Sequence, residues 1–420
     1  MQGSSAAFLV IGAGLQGCSI ALELAHRGQN VTLVDQEPMA MYRASLRNEG
    51  KIHLGLIYAA DASRATAELQ LEGALHFRLL LERWLGAAVA TIGISTPFVY
   101  LVARDSLLDA EALEAHYDHL TRECERMVGA NPGLDYLGAK PGRLATRTSA
   151  SRLAAHFAPE RFASAFLTEE RAIDTDDLAR CVRAAVDAHP SIRFIPGFRV
   201  DGIQRAGGIV HVRGRQGVDG TAHQIDGEHV VNATWEQRLR LDRMAGLAAP
   251  EGWLHRLKYR AIVGLPQECR HDPSATMVLG RYGDVVVRPN GTAFLSWYPS
   301  GLRGWCHDLA PPDAWNAACT GQVPADEAAA IGAELIAQVS AWYPGMAAGR
   351  LLTVDAGAIF AYGKSDVDDA NSGLHDRTIV GIRGDAGYLS VDPGKLTTAP
   401  LFAVQAVDRL LGLRTSPLAS

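Results

Sequence analysis

Three glycines, at residues 12, 14 and 17, have the spacing of a backbone cradle for nucleotide phosphates. In such a cradle the first glycine permits a tight turn, the second lets the backbone approach a pyrophosphate, and the third lets the next helix pack closely. Asp35 follows about 20 residues later, the usual distance for an acid that accepts hydrogen bonds from ribose hydroxyls. The predicted nucleotide contacts of this unit are Gly12, Gly14, Leu15, Gln16, Gly17, Asp35 and Gln36.

The same stretch contains Leu15-Gln16-Gly17-Cys18, a sequence typical of the cleavage and lipidation site of a bacterial lipoprotein. An export signal needs a positively charged segment before its apolar run. Residues 1–12 contain no Lys or Arg, and the apolar run covers only residues 6–11. That run suits one buried parallel strand. We therefore interpret the stretch as a nucleotide site and expect Cys18 to carry no lipid.

A strand, a helix and a second strand must hold this cradle in place. Residues 6–11 predict the first strand, and Ile20 and Leu24 repeat at helical spacing after the last glycine of the motif. Gly28 can end that helix, and residues 30–36 predict a second strand that reaches Asp35. This order directs the free N–H groups and the positive dipole end of the helix at the phosphates.

Composition limits the classes of protein that fit. The chain has 420 residues, 48% hydrophobic content and a net charge of −6, which allows two or three packed modules. No basic run indicates nucleic acid, and no apolar run is long enough to predict a membrane span. The six cysteines show no metal-binding spacing, so we expect reduced thiols, no metal site and a cytoplasmic enzyme.

The hydrophobic periodicity of the remaining chain predicts two kinds of segment that follow one another in turn. One kind contains helices and buried strands, and the other contains short strands in which apolar and polar residues alternate. The predicted elements are a helix over 65–86, strands over 90–96 and 97–103, a helix over 109–127, a helix and strands within 172–200, strands over 208–214, 228–234, 259–266, 284–289 and 292–298, and a strand, loop and helix over 377–412.

Four stretches resemble, in the same order, the FAD-dependent D-amino-acid-oxidase-like superfamily. The glycine unit is similar to its N-terminal FAD fingerprint. Residues 43–58, RASLRNEGKIHLGLIY, resemble the corresponding segment of L-2-hydroxyglutarate oxidases and FAD-linked glycerol-3-phosphate dehydrogenases. Residues 172–234 resemble the middle helix, adenine-side strand and turn, and residues 387–407, with GKLTT, resemble the C-terminal flavin loop. The resemblance covers nearly the whole chain and fixes no subfamily.

The resemblance implies an α/β (α+β) fold with a discontinuous Rossmann-type FAD-binding domain and a substrate domain on a mixed or antiparallel sheet. The expected FAD-binding domain comprises residues 1–84, 169–250 and 363–420, and the substrate domain residues 85–168 and 251–362. Further FAD contacts implied by the resemblance are Arg43, Ser45, Asn48, Val200, Ala233, Gly394, Lys395, Leu396 and Thr397.

The resemblance also places His53 under the flavin, where a histidine can take a proton from a substrate O–H or N–H as hydride leaves the adjacent carbon. A buried core histidine, one that only bonds the flavin and one attached covalently to it are the alternatives. Lys395, at the start of the last helix, is expected to stabilise negative charge on the reduced flavin or to bind a substrate carboxylate. His53 and Lys395 are thus the predicted catalytic residues.

Several aromatic and basic side chains are candidates for substrate contact. The predicted substrate-binding residues are Tyr58, Tyr298, Arg288 and Arg383, with Arg43, Arg47, Lys51, Arg260, Tyr259 and Tyr362 as further candidates.

Together these features predict an FAD-dependent oxidase or dehydrogenase that takes hydride from a carbon bearing an amino or hydroxyl group. The substrate would be small and carry a carboxylate, and O2 or another acceptor would reoxidise the flavin. An FAD-dependent monooxygenase is an alternative, because RGDAGY at residues 383–388 resembles that group's Gly-Asp-Ala motif. A non-catalytic flavin-binding protein is another, because Trp235 stands where the superfamily usually has glycine.

Overall fold

Two sheets, each assembled from separate stretches of the chain, form the framework of the molecule. The computed structural model describes residues 2–217, 219–363, 365–366, 379–385 and 387–413. Ala386 of the RGDAGY motif and parts of the expected C-terminal segment 363–420 lie outside the described residues.

The strands are β1 Gln2–Ile11, β2 Val31–Val34, β3 Lys51–Ile52, β4 Phe98–Ala103, β5 Ala145–Thr148, β6 Phe162–Thr168, β7 Arg171–Ala172, β8 Ile192–Ile195, β9 Phe198–Ala206, β10 Ile209–Gln216, β11 Thr221–Asn232, β12 Trp253–Gly264, β13 Ser274–Val278, β14 Gly283–Val287, β15 Thr292–Trp297, β16 Leu302–Cys306, β17 Arg350–Tyr362, β18 Gly381–Asp385 and β19 Tyr388–Asp392.

The helices are α1 Leu15–His26, α2 Ala65–Leu85, α3 Ala110–Ala130, α4 Ala150–Leu153, α5 Thr175–Ala188, α6 Arg238–Met244, α7 Tyr298–Gly301, α8 Asn316–Cys319, α9 Ala325–Ser340 and α10 Ala399–Leu410. Short 3-10 helices cover Leu56–Tyr58, Gly86–Thr91, Pro159–Arg161, Trp235–Gln237, Gln267–Cys269, Asp313–Trp315, Pro344–Ala348 and Leu396–Thr398.

The first sheet has the strand order β18-β19-β11-β1-β2-β8 among the described residues. β19, β11, β1, β2 and β8 run parallel, and β9 and β10 extend it as an antiparallel hairpin on β11. β2 and β19 are buried throughout, and β1 and β11 are buried at their carboxyl ends, where helices cover the sheet. Helix α1 lies between β1 and β2 in the chain. This is the doubly wound arrangement expected for a Rossmann-type unit.

The second sheet has the order β16-β12-β15-β14-β13-β4-β6-β5, and β17 pairs along nearly the whole length of β12. Most of its pairs are antiparallel, but β13 and β4 run parallel, so the sheet is mixed. One face packs against α9, with Leu335 and Val339 fully buried. The other face is turned toward the first sheet. The predicted fold class, α/β with a Rossmann-type sheet and a mixed second sheet, is confirmed.

The predicted strand over residues 90–96 is wrong. The chain leaves α2 at Gly86, with φ +57°, and continues as a 3-10 helix over Gly86–Thr91. The remainder forms a loop that makes one isolated bridge, Ile94 to Ile173, and the amide of Gly93 donates to Asp177 Oδ2 at 3.0 Å. The small residues of this segment fit the tight 3-10 turn, and the Asp177 side chain from α5 accepts the hydrogen bond of a loop amide. The backbone of the segment therefore does not pair with a neighbouring strand.

Candidate active site

The glycine cradle lies where β1, α1 and the end of β11 meet. Gly12 has φ +98°, and a Cβ on it would lie 2.7 Å from the carbonyl oxygen of Ala233. A Cβ on Gly17 would lie 1.7 Å from the carbonyl oxygen of Gly12. The close approach of α1 to β1 therefore requires glycine at both positions.

The cradle fits the pyrophosphate and ribose of a dinucleotide. Gly14 begins α1 without a side-chain cap, and the amide of Leu15 donates to Ser45 Oγ at 2.9 Å. Both amide atoms of Gln16 are buried beside the cradle and have no hydrogen-bond partner among the described residues. Asp35 accepts from the amides of Ala13 and Glu37 at 2.5 and 2.8 Å, and burial raises its pKa to about 6. FAD fits these residues, because the N-terminus of α1 and the Gln16 amide supply polar groups that need a partner.

A cavity of about 330 Å³ extends from the cradle into the space between the two sheets. Its volume is in the range of small-molecule and cofactor sites. The predicted site residues that line it are Gly12, Gly14, Leu15, Gln16, Asp35, Gln36, Arg43, Ser45, Asn48, His53, Tyr58, Val200, Ala233, Tyr298, Gly394, Lys395 and Leu396. The further candidates Arg47, Lys51, Tyr259 and Arg260 line it too.

Two predicted substrate-binding arginines lie elsewhere, and this part of the prediction needs correction. Arg288 is buried at the end of β14, 3.9 Å from Asp174 and 3.6 Å from Asp176 at the start of α5. Arg383 lies on β18 and donates to the carbonyl oxygen of Ala248. Neither side chain lines the cavity, because Arg288 points to the start of α5 and Arg383 to the loop after α6.

Two predicted FAD contacts act from behind the cavity wall. Gly17 packs against β1, as described above, and Thr397 is fully buried under the loop that carries His53. Thr397 Oγ1 accepts from the amide of His53 at 2.9 Å and lies 3.4 Å from the carbonyl oxygen of Lys51. Thr397 therefore fixes the backbone of His53, and the neighbouring residues Lys395 and Leu396 line the cavity. Tyr362, a further candidate, does not line the cavity either, and its hydroxyl accepts a hydrogen bond from buried Arg238.

Other predicted residues in the cavity wall already have protein partners. Arg43 donates to Glu236 at 2.6 Å, to Glu37 at 2.9 Å and to Asn316 at 2.9 Å. Asn48 holds its own loop, since its amide nitrogen donates to the carbonyl oxygen of Ala44. In the same way both Arg47 and Arg260 contact the carboxylate of Asp355. These residues shape the wall, and their charges are largely balanced before any ligand arrives.

His53 lies between two carboxylates at the inner end of the cavity. Its Nδ1 is 3.7 Å from Glu170 Oε1, and its Nε2 is 4.0 Å from Glu49 Oε1. The ring is buried and packs edge-on against Tyr58 at 5.8 Å. Burial lowers the pKa of His53, and although Glu170 opposes this effect, Lys395 and Lys51 add to it. The imidazole is therefore neutral at neutral pH and able to accept a proton.

Glu49 faces the cavity within a group of cations. Burial alone would raise its pKa, but the charges of Lys395 and Lys258 outweigh burial and lower it. Lys258, on β12, has a raised pKa because the neighbouring Tyr298, Asp284 and Glu49 outweigh its burial. Glu49 and Lys258 are thus both charged at neutral pH, and this end of the cavity presents both signs of charge to a ligand.

The second sheet supplies further polar groups on the opposite wall. Lys258 Nζ lies 4.3 Å from the centre of the Tyr298 ring, and Arg256 lies 6.0 Å from the same ring. Arg256 also contacts Asp366 at 3.0 Å. Lys51 reaches the second sheet and donates to Asp284 at 2.7 Å, so this predicted carboxylate candidate is paired within the protein.

Trp235 occupies the position where the superfamily usually has glycine, and its φ of +54° explains that preference. Left-handed backbone costs a bulky residue on the order of 1–2 kcal/mol. Here the indole turns toward the second sheet, where Nε1 donates to the carbonyl oxygen of Ala358 at 2.8 Å and the ring meets Phe360 at 6.0 Å. These contacts offset the cost of the left-handed backbone at Trp235.

The described residues of the RGDAGY stretch, which suggested a monooxygenase, lie on or next to β18 and β19, two strands that pair in antiparallel fashion. Asp385 accepts from Arg205 on the surface and from the amides of Gly387 and Tyr388. Asp385 stabilises this turn and does not line the cavity, so its motif gives no support to the monooxygenase alternative.

Sequence reasoning missed Glu49, Glu170, Arg256, Lys258 and Asp284. Glu49 stands inside the RNEGKIHLG stretch, four residues before His53, and its position there was the available signal. The other four come from distant strands or turns. Only the fold brings Arg256, Lys258 and Asp284 to the cavity wall and Glu170 to the buried side of His53.

Cys18 lies fully buried inside α1, and its Sγ is 3.2 Å from the carbonyl oxygen of Ala13. Burial raises the pKa of this thiol, which makes it a core residue. The cysteines are all free and buried. Among the described residues, no His, Cys, Asp and Glu side chains are grouped as a metal site would need. Nor does any helix in the described ranges have the length and apolar character that crossing a membrane takes.

Solved structures share this fold over nearly the whole chain. Glycine oxidase from Geobacillus kaustophilus aligns with a TM-score of 0.71 and 14% identity, covering 98% of this chain and 96% of that one. Iminodiacetate oxidase from Chelativorans sp. BNC1 aligns at 0.65 and 17%, covering 98% and 97%. L-α-glycerophosphate oxidase from Mycoplasma pneumoniae, solved with FAD bound, aligns at 0.63 and 17%, covering 98% and 95%. At these identities the likeness establishes the fold.

A curated relative matches a shorter stretch. The tRNA 5-methylaminomethyl-2-thiouridine biosynthesis bifunctional protein MnmC of Pseudomonas savastanoi pv. phaseolicola is 41% identical over 75 residues. The match spans 18% of this chain and only 11% of the length of that protein.

A family model covers most of the chain. The model described as DAO, FAD dependent oxidoreductase, matches residues 7–362. The predicted superfamily, the FAD cofactor and the prediction of an enzyme are thereby confirmed. The chain belongs to the DAO family of FAD-dependent oxidoreductases.

Proposed function

We propose that this protein oxidises a carbon–nitrogen bond in a small amine that also carries a carboxylate, such as an amino acid or an N-substituted amino acid. The observation that carries the proposal is the position of ionised Glu49 next to His53 and opposite Lys258. A carboxylate inside the cavity attracts a substrate ammonium and would give a neutral alcohol no such charge contact. Lys258 and Arg256, beside Tyr298, suit the substrate carboxylate.

In this proposal each residue of the cavity has a separate role in the reaction. Bound FAD supplies the acceptor for hydride from the substrate carbon. Glu49 holds the amine at the inner end of the cavity, and His53 Nε2 takes the proton that the ammonium must lose before its lone pair can form the C=N bond. Lys395 places a positive charge beside the cofactor site and stabilises the negative charge that arrives there.

The names of similar structures support an amine substrate. Glycine oxidase, iminodiacetate oxidase and an L-proline dehydrogenase from P. horikoshii are all named for amino or imino acids. The curated relative is named for a base that bears a methylaminomethyl group, which is also an amine. Because these likenesses are distant or short, they support the reaction class and leave the individual substrate open.

A hydroxyl compound is the second candidate, favoured by the GKLTT stretch at residues 394–398 and by the fold shared with glycerophosphate oxidase. Lys258, Lys395 and Arg256 would attract an acid or a phosphate on such a substrate equally well. Glu49 separates the two candidates, because an anionic alcohol would be repelled by a second carboxylate.

Anaerobic mixing of the purified holoenzyme with matched panels tests the proposal. The panels are amino acids, N-methylamino acids and the corresponding 2-hydroxy acids, and bleaching of the flavin absorbance reports reduction. We expect bleaching by amines only. Reduction by hydroxy acids alone would establish the second candidate, and reduction by neither panel would overturn the proposed function.

A further inference from the structure

Glu170 is a buried carboxylate on the side of His53 that faces away from the cavity. Its side chain is completely buried in the turn between β6 and β7, and its Oε2 accepts from the amide of Leu54 at 2.8 Å. Its Oε1 accepts from the hydroxyl of Tyr100, and its backbone carbonyl accepts from the amide of Phe98 at 2.9 Å. The carboxylate is thus held by two other segments, the loop that carries His53 and strand β4, and cannot follow a ligand in the cavity.

The charge state of Glu170 follows from these contacts. Burial would raise its pKa, but His53, Lys51 and the Tyr100 hydroxyl together lower it. An ionised carboxylate only accepts hydrogen bonds. His53 Nδ1 is buried, lies 3.7 Å from Glu170 Oε1 and makes no hydrogen bond to the described residues. A neutral imidazole in this position is therefore stable when Nδ1 carries the hydrogen and Nε2 carries the lone pair.

We propose that Glu170 is a positioning residue that selects the His53 tautomer with a basic Nε2 facing the cavity and stabilises the imidazolium formed during the reaction. The proposal rests on the proposed function only for the identity of the proton donor. When a substrate ammonium gives one proton to Nε2 and hydride leaves its carbon for FAD, the products are an iminium and a positively charged His53. The charge of Glu170 then lies next to the new charge, as in other histidine–carboxylate pairs.

Several other charged and polar groups face His53 and contribute to its titration. They are Glu49 from the preceding loop, Lys51 from β3, Tyr58 from the 3-10 helix after it, Lys395 and Thr397 from the segment before α10, and Glu170 itself. The lysines oppose protonation and the two carboxylates favour it. Of the carboxylates, only Glu170 contacts Nδ1, so its removal has an effect that Glu49 does not reproduce.

Glu170→Gln tests this arrangement, because it removes the charge and retains the shape. In holoenzyme labelled with 15N-histidine, the His53 signals, assigned by their loss in His53→Gln, report both the pKa and the tautomer. An opposite charge at this distance shifts a pKa by about one to three units, so we expect the His53 pKa to fall by at least about one unit. The acid limb of the pH profile for flavin reduction should move down equally, while the plateau rate falls about tenfold because the base is weaker.

Two companion variants separate charge from shape. Glu169→Gln makes the same chemical change one residue earlier at an exposed position and should leave the His53 pKa unchanged. Glu170→Asp retains the charge and should restore most of the pKa. If Glu170→Gln does not fold, Tyr100→Phe removes the hydroxyl that competes for Glu170 Oε1, and we expect the His53 pKa to rise.

An unchanged His53 pKa in both Glu170→Gln and Tyr100→Phe, or a hydrogen found on Nε2 in the wild-type holoenzyme, would overturn the proposal. The histidine spectrum needs no substrate. Failure of every amine to reduce the flavin would therefore refute the proposed function, but the His53 pKa and tautomer could still be measured.

Discussion

Lys395 is the predicted catalytic residue whose contribution is purely electrostatic. Hydride transfer adds negative charge to the flavin, and a buried charge-assisted contact is worth about 1.5–3 kcal/mol. Because about 1.4 kcal/mol corresponds to a tenfold change in rate, Lys395→Met should slow anaerobic flavin reduction roughly 10- to 100-fold, with FAD still bound. Stopped-flow absorbance measures the rate. Lys140→Met, at an exposed lysine, is the control, and a native rate in Lys395→Met would show that Lys395 does not face the reduced flavin.

A substitution at Gly14 tests whether the glycine cradle binds the phosphates of FAD. A Cβ there would lie 3.0 Å from Ser45 Oγ, and valine adds two methyl groups at the point where the backbone must approach the pyrophosphate. Gly14→Val should therefore purify without FAD, seen as loss of the yellow absorbance. Gly129→Ala, with nothing within 4 Å of its Cβ, should remain yellow. Native FAD content in Gly14→Val would place the phosphates elsewhere.

Single residues divide into those that sequence could identify and those that it could not. The glycines and Asp35 were predictable from the spacing of one motif, and His53 and Lys395 from the resemblance of their segments to the superfamily. Arg288 and Arg383 were chosen for charge only, and the fold turns both toward other partners. Glu170 has no motif and reaches His53 from 117 positions along the chain, a contact that only the tertiary structure creates.

At the scale of elements, one buried ionic network joins helix α6 to strands of both sheets. Arg238 donates to Asp392 at 2.6 Å and to the hydroxyl of Tyr362 at 2.8 Å, and Asp242 accepts from Ser390 and Asn232. Breaking a buried pair leaves an uncompensated charge and typically costs about 3–5 kcal/mol.

Arg238→Met should accordingly lower the free energy of unfolding, measured by urea denaturation, by about 3–5 kcal/mol. Arg126→Met breaks only an exposed pair with Glu123 and should change it by less than about 1 kcal/mol. Equal stabilities of the two variants would mean that hydrophobic packing, and not the network, joins α6 to the sheets.

Elements were predictable where their pattern is strong. α2 and α3 have long uninterrupted periodicity and lie within a few residues of the predicted limits. The strand expected at residues 90–96 failed because a short apolar alternation has the same appearance in a buried loop. The order of strands in the second sheet, including the parallel pair β4 and β13, depends on contacts between distant segments that no local pattern specifies.

At the scale of the whole molecule, the cofactor site unites segments that are far apart in the chain. Ligand that binds only the folded state stabilises it by about 2.7 kcal/mol at a concentration of 100 times Kd. Removing FAD should therefore lower the Tm, and adding FAD back should restore it in a concentration-dependent way, as scanning calorimetry can measure. Gly14→Val should show no such FAD-dependent rise, and a Tm independent of FAD in the wild type would contradict a site built from both sheets.

Thr397, which holds the backbone of His53, and Lys395 both belong to the segment just before α10, and α10 itself packs against α1. A ribosome makes this segment after every other part of the cavity. A nascent chain therefore contains the glycine motif from the start, but the residue that fixes the backbone of His53 is made only after residues 1–396. The order of synthesis thus delays the contact between Thr397 and His53 until the strands of both sheets have been made.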